Sequence, residues 1–372
     1  MIRMERKNFL TYHGFRQDRI IERAEKSLGA SCVHITDTAA ECSRGTAHDY
    51  YSNGDYWWPN PETEDGLPYV RRDGESNPRA FFAHRIAMRK TRTNIANLAA
   101  GYKISGDERY AEKAVRMLYE FFLDPTFCMA PNLRYAQAVP GVSDERGIGI
   151  IDGLHMIDIP FAIETLRSSP FMTPKIYSGL REWFSLLLNW LMTSKNGREE
   201  RIHPNNHSIC FYLQAAVYAV FTENTALVEE CRRQYREFLI PLQQAPDGSF
   251  PQELARTKPY SYSIFVLDSI VALCHVLSDS EEENLWRFDC GGRTIQSAVE
   301  FLYPYLKDKN SWPYPRDIEH FESLPVRMPF MLFAGCALPM PELIELYEAL
   351  PEESQDTEVR RNVAIRQPIL WL

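Results

Sequence analysis

Asn205-Asn206-His207 stands at the entrance of a strongly apolar stretch. Further along the chain, so does Arg256-Thr-Lys258-Pro-Tyr260-Ser-Tyr262. Asn and Arg donate hydrogen bonds that can neutralise a carboxylate, and His and Tyr can move a proton beside it. Together these residue types suit proton abstraction next to a carboxylate, the chemistry that an acidic sugar demands. The candidates for catalysis or substrate contact at these two mouths are therefore Asn206, His207, Arg256, Lys258, Tyr260 and Tyr262. Each also has a plainer reading: Lys258 as a surface charge, Arg256 as the ion-pair partner of Glu253, the tyrosines as core edges, His207 as a structural residue.

Two further clusters place Arg with aromatic neighbours on Pro-bounded loops, which suits a charged sugar. One is Trp312-Pro-Tyr314-Pro-Arg316-Asp317-Ile-Glu319-His320, and the other is Pro131-Asn132-Leu-Arg134-Tyr135-Ala-Gln137. A third segment, Asp55-Tyr-Trp57-Trp58-Pro59, offers flat rings for sugar stacking. The candidate binding residues are Trp57, Trp58, Arg134, Tyr135, Gln137, Trp312, Tyr314 and His320. Other chemistries find less support. His203 and His207 have a metal-ligand spacing, but Pro204 breaks the helical face that would align them, so no metal site is expected. Gly147-Ile-Gly149 lacks the rest of a dinucleotide fingerprint. There is no P-loop and no G-x-S-x-G motif, and no cofactor is expected.

The elements that must position these residues read as helices. Apolar positions recur at helical spacing in residues 88–102 and 110–122, with a Gly106-Asp107 break between them. Thr173-Pro174 has the form of an N-cap followed by Pro at N1, opening a helix that runs to Met192. Residues 208–221 and 263–277 are apolar nearly all round, as buried helices are. Residues 225–240 and 294–306 are apolar on one side only. This alternation of buried and one-sided helices predicts an all-α fold of helical hairpins in an inner and an outer ring, an α/α toroid or incomplete barrel; a plain bundle has the same periodicity. Residues 30–82 are dense in Gly, Pro and aromatics and read mostly as loop, packed as a cover over a cleft. Without a linker or repeat to divide it, the chain reads as one domain over 1–372.

Composition sets outer bounds. The 372 residues are 45% hydrophobic, enough for a sizeable core without staples. A net charge of −9 argues against a general nucleic-acid surface. An anionic substrate must then meet a locally basic cleft. No apolar h-region follows Met1-Ile-Arg-Met-Glu-Arg-Lys-Asn, and no membrane-length apolar window is evident, so a cytoplasmic location without membrane contact is expected. The eight cysteines show no C-x-x-C spacing and read as free thiols. Composition carries no information on oligomeric state.

Short motifs in consistent order carry a family resemblance. They are Gly54-Asp-Tyr-Trp-Trp-Pro59, Gly66-Leu-Pro-Tyr-Val-Arg-Arg-Asp-Gly74, Asn132-Leu-Arg-Tyr-Ala-Gln137, Gly147-Ile-Gly-Ile-Ile-Asp152, Asn205-Asn-His207, Glu253-Leu-Ala-Arg-Thr-Lys-Pro259, Tyr262-Ser263 and Trp312-Pro-Tyr-Pro315. In these the chain resembles the alginate-lyase superfamily of polysaccharide lyases, in the subgroup with a Tyr-Trp-Trp-Pro loop. The resemblance implies an α/α toroid and cleavage of uronate polymers or oligomers (alginate, glucuronan or related) by β-elimination. It also implies an active site of Asn206, His207, Arg256 and Tyr262, with Tyr260 as the competing tyrosine.

The implied chemistry is physically coherent. The C5 proton of a uronate is barely acidic while the neighbouring carboxylate stays charged. Donors from Asn206, Arg256 and a protonated His207 would stabilise the enolate-like intermediate. Tyr262, its phenol pKa lowered by Arg256, would act as base, as acid to the leaving 4-oxygen, or as both. With base and acid on opposite sides of the ring, His207 becomes the base. Two other classes remain open on sequence. A glycoside hydrolase needs paired carboxylates, for which Asp152, Asp268 and Glu319 are candidates. A non-catalytic carbohydrate-binding protein needs only the aromatics. Acidity and the lack of a leader favour short acidic oligosaccharides over long polymer.

Overall fold

The computed structural model describes residues 17–371. The N-terminal stretch read above for a leader lies outside them. The described residues are mainly α-helical, with four short strands among them. They form two compact units. Described residues up to Glu200, with Val217–Glu223 and the segment from Ile365, make the N-terminal unit. Arg201–Ala216 and Asn224–Ala364 make the C-terminal unit.

In the N-terminal unit the helices are α1 (Gln17–Leu28), α2 (Ala83–Ser105), α3 (Glu108–Phe122), α4 (Asp158–Leu166), α5 (Pro174–Thr193) and α6 (Lys195–Glu200). α2 is central and packs against α1, α3 and α4. A Cβ on Gly101 would fall 2.5 Å from the Ala24 Cβ, so glycine is what lets α1 approach α2 so closely. The Gly106-Asp107 break works as its residue types dictate. Gly106 adopts φ 70° and closes α2, and the Asp107 side chain accepts the Arg109 N–H at the start of α3. Thr173 caps α5 by accepting the Ile176 N–H, with Pro174 in the first turn.

Residues 30–82 are mostly loop, as expected, but they are tied down. β1 (Tyr51–Asn53) pairs in parallel with β4 (Tyr135–Ala138), and β2 (Trp57–Trp58) pairs antiparallel with β3 (Val70–Arg71). Tyr50 is fully buried. Gly147-Ile-Gly149 opens a 3-10 helix, Gly147–Met156. A Cβ on Gly149 would lie 2.0 Å from the Ala136 carbonyl oxygen, so this glycine serves close packing on β4.

The C-terminal unit begins with the first turns of α7 (Asn206–Phe221). It continues with α8 (Thr225–Gln234), α9 (Ile240–Gln243), α10 (Pro251–Leu254), α11 (Pro259–Leu277), α12 (Ile295–Lys307), α13 (Pro329–Ala337), α14 (Glu342–Ala349) and α15 (Thr357–Asn362). α11 is the core of this unit and packs against α8, α10, α12 and α13. By length and composition it could cross a bilayer, contrary to the reading that no such window exists, and its residues are mostly buried within the protein. α12 is one-sided, with Ile295, Ala298, Val299, Leu302 and Leu306 inward.

One expected helix is divided. Residues 225–240 were expected as a single element, but α8 stops at Gln234 and a π-turn, Tyr235–Leu239, leads into α9. Pro241 explains the change. It has no N–H for the preceding turn, and its ring collides with the carbonyl four residues back unless the turn widens. All eight cysteines are free, and Cys210, Cys231 and Cys274 are buried. Burial pushes the Cys274 thiol up to about 12.

Candidate active site

The first turn of α7 explains why Asn205 and Asn206 stand together. Asn205 is the capping residue: its side-chain oxygen accepts the His207 N–H at 3.2 Å, and its carbonyl accepts the Ser208 N–H. The same side-chain oxygen lies 2.7 Å from His203 Nδ1. Asn206, one residue on, is almost wholly buried. Its main-chain N–H donates to Glu253 Oε1 at 2.7 Å, and its Nδ2 donates to Glu253 Oε2 at 2.8 Å. His207 follows, half-buried.

Glu253 comes from α10, 47 residues away in sequence. Burial pushes its carboxyl above the ordinary carboxylate range. The two bonds from Asn206 and the charges of Arg256 and His207 act against that rise. Its position at the start of α7 also suits the positive end of the helix dipole.

The second motif is held by a loop from later in the chain. Asp317 accepts the main-chain N–H groups of Tyr260 (2.8 Å) and Ser261 (2.9 Å), and the Ser261 hydroxyl as well. It thereby satisfies donors that the first turn of α11 leaves open, with Pro259 already in place at N1. The Ile318 N–H donates to the Thr257 carbonyl and fixes the loop just before the helix. On this frame, Arg256 Nη2 donates to the Tyr262 phenol oxygen at 3.0 Å. The Arg256 guanidinium carbon lies 4.2 Å from the Tyr262 ring centroid. Both side chains are half-buried.

Tyr260 and Tyr262 are separated by this helix. Two positions along an α-helix differ by about 200°. Tyr260 is fully buried, donates its hydroxyl to the Tyr305 carbonyl at 2.9 Å, and packs against Trp312 and Phe321. It is a core residue and not the substrate contact expected from sequence. Trp312 is likewise buried, with its indole N–H on the Pro315 carbonyl and its ring against Tyr260, Tyr305 and Tyr314. Little of it is left for a ligand. Tyr314 remains half-buried beside it. Lys258 is not a surface charge: it is 4% exposed and lies 3.1 Å from Glu319. His320 adopts φ 65° and meets Asp356 at 2.5 Å and Glu319 at 3.4 Å.

The N-terminal unit holds the remaining candidates. Trp57 and Trp58 are half-buried on β2. Arg146 lies over the ring of Trp57 and Arg72 over that of Trp58. Arg134 is exposed, paired with Glu145 and stacked on Tyr135, which is buried. Gln137 adopts φ 52° and donates its side-chain amide to Asp152 Oδ1 at 3.0 Å. These contacts give Tyr135 and Gln137 a structural role within β4.

The carboxylates considered for hydrolysis are engaged elsewhere. Asp152 accepts from Tyr50, Ser52, Arg85 and Gln137. Asp268 is buried and accepts the Phe330 N–H in the first turn of α13. Glu319 pairs with Lys258. The rings of His203 and His207 lie 5.0 Å apart. Among the described residues, no group of three or more His, Cys, Asp or Glu could hold a metal.

Sequence reasoning missed Glu253 and Asp317 as the residues that set the site. The Glu253-x-x-Arg256 spacing suggested an ion pair, and nothing in it pointed back to Asn206. Asp317 was visible only as part of an aromatic loop.

Comparison with known proteins gives this geometry its context. The family model for alginate lyase matches residues 35–312. An alginate lyase from Bacteroides ovatus has a solved structure that is 31% identical, covers 94% of this chain and 92% of its own, and superposes with a TM-score of 0.83. Alginate lyase A1-III from Sphingomonas species A1 is 15% identical over 85% of each chain, with a TM-score of 0.52, a likeness of fold alone. A variant of A1-III complexed with tetrasaccharide is also similar, at 18% identity, 67% and 68% coverage, and a TM-score of 0.50. No curated protein matches. Fold and relatives together define a polysaccharide lyase of the all-α, helical-toroid class. The chain belongs to the alginate lyase family.

Proposed function

We propose that this lyase cleaves uronate-containing oligo- or polysaccharides with Asn206, His207, Arg256 and Tyr262 as its catalytic set. The observation that carries the assignment is the Arg256 Nη2 to Tyr262 hydroxyl bond at 3.0 Å. A guanidinium N–H given to a phenol oxygen favours negative charge there, and a guanidinium is well shaped to pair with a substrate carboxylate. Asn206 and His207, at the N-terminus of α7, add an amide and an imidazole with the favourable end of the helix dipole behind them.

The bond changes balance as follows. The C5–H bond breaks and its proton passes to the base. The C5 electron pair forms the C4=C5 double bond as the C4–O bond breaks, and the leaving 4-oxygen takes a proton. Where the C5 proton and the 4-oxygen lie on one face of the ring, Tyr262 serves both. Where they lie on opposite faces, His207 takes the proton and Tyr262 delivers one. Trp57 and Trp58 are proposed to stack on sugar rings, and Arg134, Tyr314 and His320 to contact the chain. Short acidic oligomers fit the net charge of −9 better than long polymer.

The test is a panel of oligomers built from mannuronate, guluronate or glucuronate. Ultraviolet absorbance of the unsaturated uronate should rise with each cleavage event. New reducing ends without that absorbance would remove β-elimination from consideration.

A further inference from the structure

We infer that Glu253 is a positioning residue that fixes which way the Asn206 amide faces; this rests on the lyase reading above. Its two carboxylate oxygens accept from one residue, at the main-chain N–H and at Nδ2. The first bond anchors the opening turn of α7, and with it His207. The second fixes the amide itself. Both carboxylate oxygens act as acceptors here, and it is Nδ2 and not Oδ1 that faces Glu253. Nδ2 carries two hydrogens: Glu253 holds one, which leaves the second as the donor that a substrate carboxylate needs.

The clamp also joins the two motifs. Glu253 sits one turn before Arg256, whose N–H donates to the Glu253 carbonyl. A single residue on α10 thus holds Asn206 through its side chain and the approach to Arg256 through its main chain. An ordinary surface ion pair would account for the Glu253–Arg256 spacing, but not for a side chain 1% exposed with both oxygens on Asn206.

Glu253→Gln is the discriminating variant. Glutamine keeps one acceptor for the Asn206 main-chain N–H, but its Nε2 then opposes Nδ2, donor against donor. The Asn206 amide must turn over, and every hydrogen bond can then be satisfied, so the fold survives while the amide presents the wrong atoms. Mispositioning of a donor on this scale lowers rates by about 100-fold. The expected result is a folded E253Q with kcat lower by about 100-fold, KM within about threefold, and an E253Q/N206A double variant no slower than N206A alone. Wild-type kcat in E253Q, or losses that add in full in the double variant, would overturn the clamp. Should E253Q not fold, E253D keeps the charge but reaches only one of the two N–H groups, and a kcat loss at constant KM is expected again; full activity overturns the inference.

A second readout separates this inference from the lyase reading. In protein isotopically labelled only at asparagine, the side-chain amide resonance of Asn206 should move in E253Q whatever reaction the site performs. An unmoved resonance sinks the clamp even if the enzyme is a lyase. A moved resonance with no unsaturated product from wild type sinks the lyase reading and leaves the clamp.

Discussion

Two buried polar clusters, one in each unit, use similar residues to opposite ends. In the N-terminal unit, Asp152 is encircled: Tyr50, Ser52, Arg85 and Gln137 all donate to it, and Arg85 also binds Asp55 and the Asn53 carbonyl. Asp152 and Arg85 are both nearly inaccessible to solvent. In the C-terminal unit, Glu253 is just as buried, but the residues around it are not all so. His207, Arg256 and Tyr262 are half-buried. The first cluster joins β1, β4 and α2 and is closed. The second is anchored on a buried carboxylate and keeps three polar side chains partly exposed to solvent. Burial of charge therefore does not separate the two clusters; half-buried donors in front of the buried carboxylate do.

Substitutions can break or sharpen this contrast. The largest effect is expected at the open cluster. Arg256→Ala should lower kcat/KM by roughly 1,000-fold or more through lost carboxylate neutralisation and a misplaced tyrosine, with the thermal midpoint little changed. Next comes the closed cluster. Arg85→Met should leave Asp152 and Asp55 uncompensated and cost about 3–5 kcal/mol of stability, read by denaturant unfolding. Any loss of activity should then follow loss of folded protein. Tyr260→Phe is smaller: it removes the bond to the Tyr305 carbonyl and should cost about 1 kcal/mol while kcat stays within about twofold. A large kcat loss there would return Tyr260 to the catalytic set.

The smallest effect is a pH limb at the His320–Asp356 contact. Asp356 is pushed up by burial, but bonds from His320 and the Glu358 N–H outweigh this and hold it below the usual carboxylate range. A carboxyl whose folded pKa is depressed adds stability above its unfolded pKa, about 3.9. That contribution is lost as pH falls through the lower folded value. Asp356→Asn should flatten this part of the acid unfolding curve, and an unchanged curve would show that the His320 contact contributes nothing.

Much of the fold was legible because it rests on local patterns. Thr173-Pro174, Gly106-Asp107 and the all-round apolar runs of α7 and α11 each state their role within a few residues. The division at Tyr235–Leu239 was less legible because the apolar face continues through it; only Pro241 marked it. The site was readable as residue types at two helix mouths. Its frame was not, because the partners are remote: Glu253 meets Asn206 across 47 residues, and Asp317 meets Tyr260 across 57. The choice between Tyr260 and Tyr262 had the same origin. Helical geometry separates their directions, but only the position of Trp312 and Phe321 decides which of them points inward.

The central claim is that the Arg256–Tyr262 pair performs the proton transfer of a β-elimination. The most direct measurement compares wild type with Tyr262→Phe on one uronate oligomer, following the absorbance of the C4=C5 double bond while oligomer binding is measured separately. The account predicts steady formation of unsaturated product by wild type. It predicts a loss of roughly 1,000-fold or more in Tyr262→Phe, with binding within about threefold. Unsaturated product formed by Tyr262→Phe at the wild-type rate would contradict it.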